Sequence, residues 1–168
     1  MMLQPRNKRI KQGRADLIEK VTVDALQSSR GLPQTIDVCT IDTEGHDPLV
    51  LEGMHDMLRN QRVTLLEFEY GGKGFWQAGK PSSRTLESTV ATLGEVGYRC
   101  YLEAAGSLHA PINHGCWRPA FETHKWSNVL CTHHPRARGV IDANAWASFR
   151  ARDHGASITA TRTERGHS

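Results

Sequence analysis

The chain has 168 residues, 38% of them hydrophobic, with a formal net charge of +3 and four cysteines. That is long enough for one domain with a real core, but short of apolar residues for order from end to end. No apolar run reaches the ~20 residues of a membrane helix, and the cysteines lie too far apart to outline a disulfide framework, which argues against a membrane-spanning protein and a stapled secreted scaffold.

The basic excess sits at the ends. Arg6, Lys8, Arg9, Lys11 and Arg14 face no acid within residues 1–15, and residues 134–168 hold six Arg against three acids. Residues 16–133 reverse the balance, with ten Lys and Arg against fifteen Asp and Glu. An acidic middle without a basic, aromatic-laced stripe argues against specific nucleic-acid recognition. Residues 1–20 read as a basic, poorly ordered arm, 21–133 as the folded domain, and 134–168 as a disordered tail carrying one weak helix.

Along the chain, Val21-Thr22-Val23 reads as a strand end and Asp24 as the cap of a short helix through about Arg30, ended by Gly31-Leu32-Pro33. Ile36, Val38, Cys39 and Ile41 then form a short, largely β-branched run typical of a covered strand. Asp47 supplies an N-cap oxygen, Pro48 fits the first helical position, and Val50, Leu51, Met54, Met57 and Leu58 recur at helical spacing. Ligands bind outside the carboxyl ends of strands in open α/β sheets, which makes Asp42, Glu44 and His46 candidate catalytic residues. The competing reading has Asp42 and Glu44 merely holding backbone amides of the turn.

Arg62 to Tyr70 is a second strand, with Val63, Leu65, Glu67 and Glu69 on one face and Thr64, Leu66, Phe68 and Tyr70 on the other. An unpaired Glu inside a sheet is costly, so Glu67 and Glu69 must emerge into a crevice or meet partners. Neighbouring parallel strands would bring them to the same rim as Asp42 and Glu44. Gly71 to Trp76 reads as a loop over that rim, with Phe75 and Trp76 able to close on a ligand or simply to pack. It lacks the spacing of a phosphate-binding loop. Glu67, Glu69, Tyr70 and Trp76 are the candidate substrate-binding residues.

Ser82 or Ser83 reads as the next cap, followed by Leu86, Val90, Leu93 and Val96 at helical spacing and Gly97 as the stop. Tyr98 to Leu102 is a third strand, residues 103–125 show no periodicity, and Trp126 to Thr132 is a last strand able to return antiparallel. Asp142 to Arg152, with Trp146 and Phe149, is the weak helix of the tail. Cys39 and Cys131 read as small buried hydrophobes. His109, His114 and Cys116 lack the spacing of a metal site, so no metal is expected.

Taken together, Ile41-Asp42-Thr43-Glu44-Gly45-His46-Asp47-Pro48-Leu49-Val50-Leu51-Glu52-Gly53 and Leu65-Leu66-Glu67-Phe68-Glu69-Tyr70 resemble the carboxyl-terminal half of FkbM-type methyltransferases. Asp24 and the closing Trp126-Ser127-Asn128-Val129 also fit, so the resemblance spans residues 21–133. It implies an α/β fold, a partial Rossmann-like sheet whose strands are equivalent to the family's fourth, fifth, sixth and antiparallel seventh, with the last inserted between the fifth and sixth. It further implies S-adenosylmethionine as cofactor and methyl transfer to a hydroxyl of a small-molecule or glycan-like acceptor, with Asp42, Glu44 or His46 taking or orienting the proton.

The family's glycine-rich first turn and the acid that holds the cofactor ribose have no counterpart upstream of Val21, and Thr40 stands where the family usually has Lys. The expectation is therefore a domain lacking its amino-terminal half, without an assigned cofactor-binding residue, inactive as an isolated chain and cytoplasmic. Such a domain exposes an apolar edge at 36–41. This favours, as an alternative, a non-catalytic module that pairs or oligomerises by strand addition. A metal-assisted hydrolase using Asp42, Glu67 and Glu69 is a third reading.

Overall fold

The structure, a computed structural model, describes residues 20–30, 33–72, 76, 84–104, 108–122 and 126–144. The expected basic arm up to residue 19, Phe75, the candidate caps Ser82 and Ser83, and Trp146 and Phe149 of the tail lie outside the described residues. No helix among the described residues is long and apolar enough to cross a membrane.

Apolar strands and amphipathic helices build an α/β fold around a five-stranded, mixed, open sheet. The strands are β1 (Ile36–Ile41), β2 (Val63–Tyr70), β3 (Arg99–Ala104), β4 (Leu108–Pro111) and β5 (Ser127–Thr132), in the spatial order β1-β2-β5-β3-β4. β1 and β2 are parallel, whereas β5 runs antiparallel to both its neighbours and β4 antiparallel to β3. The last strand thus enters between β2 and β3, as expected. β4 was not foreseen: it completes a hairpin with β3 inside the stretch that showed no periodicity.

The helices are α1 (Val23–Arg30), α2 (Asp47–Glu52), α3 (His55–Arg59) and α4 (Leu86–Glu95). Register puts Cys39, Leu66, Cys131 and Cys100 in one row across the sheet, and Ile41, Phe68, Val129 and Leu102 in the next. These rows share the core with Met54, Met57 and Leu58 below α2 and α3, and with Leu86, Val90 and Leu93 of α4. Burying a side chain of this size contributes ~1.5–3 kcal/mol, so this one face supplies most of the apolar stabilisation.

Several local expectations change. The described residues 20–22 before α1 form no strand; Thr22 Oγ1 caps the helix by accepting Ala25 N at 3.1 Å. Asp24 reaches across instead, its carboxylate accepting Asp56 N at 3.0 Å and Met57 N at 3.1 Å at the start of α3. Satisfying those amides from outside accompanies a break of the expected single helix into α2 and α3. Asp47 is the first residue of α2 and not its N-cap, which is His46. Thr85, not Ser82 or Ser83, caps α4 in a reciprocal capping box with Ser88. Gly97 stops that segment at φ +93, where an added Cβ would lie 2.5 Å from Gln61 Nε2.

Cys100 and Cys131 face each other across β3 and β5 and form a disulfide, with Cys39 and Cys116 free. This corrects the reading of Cys131 as a lone buried hydrophobe. Two antiparallel strands that are distant in sequence brought the sulfurs together, which no spacing rule reveals. Beyond β5, residues 135–144 form a further helix, α5, which begins before the expected start at Asp142. It covers part of the opposite face: Ile141 is buried, Tyr101 OH donates to Asp142 at 2.9 Å, and Arg138 donates to Thr132 O and Gly97 O.

Candidate functional site

The loop between β1 and α2 and the carboxyl end of β2 form an acidic rim, as the strand pattern predicts. Glu44 at φ 52 and Gly45 at φ 92 turn the chain sharply after β1; such a conformation is uncommon for a non-glycine residue. Asp42 and Glu44 are exposed.

Asp47 holds this turn to β2. Its carboxylate is fully buried, accepting Thr43 Oγ1 at 3.1 Å and Glu69 N at 3.2 Å. A buried carboxylate is tolerated only when hydrogen-bonded, and these two bonds fix the loop against the strand whose acids complete the rim. Reading Asp47 as a helix cap missed this role.

Glu67 and Glu69 stand on the same face of β2, two residues apart and so ~7 Å along the strand. β5 and the residue before it supply their partners: Asn128 Nδ2 donates to Glu67 Oε1 at 3.1 Å, and Trp126 Nε1 donates to Glu69 Oε1. The second oxygen of Glu69 is buried and has no hydrogen-bond partner among the described residues. Burial of the carboxyl, and then the negative charges of Asp42, Asp47 and Glu44, raise its proton affinity above that of an ordinary Glu. A carboxyl tuned in this direction suits proton transfer nearer neutrality.

The other candidates divide. His46 is exposed, and its Nδ1 lies 3.2 Å from Thr43 O, the carbonyl oxygen of a residue in its own turn. Tyr70 and Trp76 lie on the helix side of the sheet: they are 0% and 5% exposed and their rings meet edge to face at 5.0 Å. Trp76 Nε1 donates to Glu69 O at 2.9 Å. Instead of overhanging the rim, Trp76 packs beneath it. Tyr70 OH donates to Glu122 Oε1 at 2.8 Å, and Glu122 also accepts Leu86 N and Glu87 N at the start of α4. Burial and the Glu122 carboxylate push the Tyr70 phenol up, leaving it a neutral donor. Glu122 had no sequence signal, since it acts on residues far away along the chain.

The rim therefore gathers Asp42, Glu44 and Glu69, with Glu67 beside them, and leaves His46, Tyr70 and Trp76 outside that group. Among the described residues no three His, Cys, Asp or Glu are placed to hold a metal ion, so Asp42, Glu67 and Glu69 form no cation cage. A groove of about 230 Å³ lies elsewhere, between α2, α3 and α4, with Leu51, Leu58 and Leu93 in its wall and the Arg84–Glu52 ion pair at its margin. Comparison of the chain with protein-family models, with curated proteins and with solved structures finds no match.

Proposed function

We propose that this chain is an S-adenosylmethionine-dependent methyltransferase-type domain that supplies the acceptor side of the reaction, methylating a hydroxyl of a small-molecule or glycan-like substrate. The observation that carries the reading is the antiparallel β5 lying between β2 and β3, because it sets a carboxylate rim at the ends of parallel strands β1 and β2 against donors from a third strand. In this reading Glu69 or Asp42 would take the proton of the acceptor hydroxyl as the methyl group passes to its oxygen from the cofactor's sulfonium, which would leave as a neutral thioether, while Asn128 holds Glu67 in place.

Titration calorimetry with S-adenosylmethionine tests this. The chain alone should give no saturable heat at micromolar ligand, and an extended chain carrying a glycine-rich strand and helix ahead of Val21 should bind. Tight binding by the chain alone would relocate the cradle, and silence of the extended chain would end the reading. A second reading, a non-catalytic module that pairs through a strand edge, is favoured by β1, which among the described residues has a strand on one side only and exposes Val38 at 59%.

A further inference from the structure

We infer that β1 is the seam of a two-fold homodimer, in which two copies of this chain pair antiparallel with Cys39 on the axis. The inference gives the strand-edge reading a partner and does not depend on methyl transfer.

Both sheet edges are open among the described residues, but they differ. β4 is four residues long and ends in Pro111, which has no N–H to offer a neighbour, so this edge is blunted. β1 is six residues long, with neither Pro nor Lys.

The register dictates which of its groups are free. Ile36 N donates to Arg62 O at 2.7 Å, and the ladder continues regularly to the Ile41 and Phe68 pair. Residues 36, 38 and 40 therefore bond toward β2, and Asp37, Cys39 and Ile41 direct their N–H and C=O groups outward.

A two-fold axis at Cys39 sets Cys39 against Cys39 and Asp37 of each copy against Ile41 of the other. Each facing pair then exchanges two hydrogen bonds, and every outward group of the strand is used. On the less covered sheet face, Val38 of each copy comes to oppose Thr40 of the other, which covers an exposed valine.

Geometry and charge select this arrangement. With residues 37, 39 and 41 outward in both copies, parallel pairing needs a one-residue offset that no two-fold supplies, and an antiparallel axis at Asp37 would oppose two carboxylates directly, which is destabilising. With the axis at Cys39, the acidic rim after β1 lies beside the uncharged Gln34 and Thr35 of the other copy. The interface is isologous and uses up the unblunted edge, so assembly closes at two.

The test is made on the full chain. Sedimentation velocity should show a dimer, and in a Cys116→Ser background a short bismaleimide should join two Cys39 thiols, located by mass spectrometry. Cys39→Pro removes an outward N–H together with the thiol but no hydrogen bond of the ladder to β2, and Val38→Lys adds like charges to the seam. Each should weaken dimerisation by about tenfold or more while circular dichroism stays unchanged. A monomeric wild-type chain, a dimer that survives both variants in folded form, or a dimer without the Cys39 cross-link would overturn the inference. The cross-link on the otherwise unaltered chain decides the matter should either variant fail to fold. Because the readout is assembly, its failure is distinct from failure to bind S-adenosylmethionine.

Discussion

On the helix side of β2 and β5, Leu66, Phe68, Val129 and Cys131 are fully buried, whereas on the other side of these strands Leu65, Glu67 and Leu130 are half-buried, and Val38 on that side of β1 is largely exposed. Among the described residues, three helical segments cover the first face, while α5 reaches the second near β3 and β5, at Tyr101 and Thr132. Stability and candidate chemistry are thus divided between the two faces. The covered face carries the apolar energy, and the partly covered face carries the polar side chains that converge at its rim. Phe68 and Glu69 make the point: adjacent in sequence, one is core and the other is an acid of the rim whose proton affinity is raised.

The sharpest way to break this comparison is to truncate one side chain on each face. Phe68→Ala opens a cavity in a fully buried row and should cost ~3–5 kcal/mol. Val38→Ala removes methyl groups that already face solvent and should change the stability of the monomer by less than ~0.5 kcal/mol. Urea unfolding at one low protein concentration checks both, and comparable losses would mean that the second face is covered as fully as the first.

The disulfide sits on the covered face, with both cysteines at 0% exposure. Its ends are separated by 31 residues, a loop whose closure contributes ~3–4 kcal/mol in the chain-entropy treatment. Replacing both Cys100 and Cys131 by Ala should lower stability by about that much. Thiol titration of the denatured, unreduced chain should count only Cys39 and Cys116, and a count of four thiols would remove the cross-link.

Asp24 tests how the helices over the covered face are fixed. It holds two amides at the start of α3 from a position 32 and 33 residues away. Asp24→Ala should cost ~1–2 kcal/mol, the scale of a helix cap. Hydrogen exchange should localise the loss to residues 55–59, and faster exchange only within α1 would show that Asp24 serves its own helix.

Legibility follows the range of the interaction. β1, β2 and α4 were readable because Ile36 to Ile41, Val63 to Tyr70 and Leu86 to Leu93 carry their periodicity within themselves. β4 was not, since Leu108 to Pro111 is too short to alternate and is a strand only because β3 lies beside it. The acids of the rim were visible as carboxylates at strand ends. Their sorting was not: the bonds of Asp47 to Glu69, Asn128 to Glu67 and Glu122 to Tyr70 all join residues that only the folded sheet makes neighbours. Trp76 misled for a related reason, because an aromatic residue after glycines reads the same whether it overhangs a site or plugs the core beneath it.

The smallest effect tests whether the rim acts as one electrostatic unit. The proton affinity of Glu69 is raised by burial and then by Asp42, Asp47 and Glu44. A carboxyl that holds its proton more tightly in the folded chain stabilises the fold while protonated. That contribution is fully present below its unfolded value, near 4.5, and is lost as pH rises through the higher folded value. Glu69→Gln cannot titrate, so the stability of the wild-type chain relative to this variant should fall as pH climbs through that window. Thermal melts across a pH series measure the difference. Asp42→Asn should lower the Glu69 titration midpoint, read by carboxyl carbon NMR, because it removes one neighbouring negative charge. An unmoved midpoint would mean that the charge of Asp42 does not reach Glu69, and that these two acids at the ends of β1 and β2 share a rim without sharing a field.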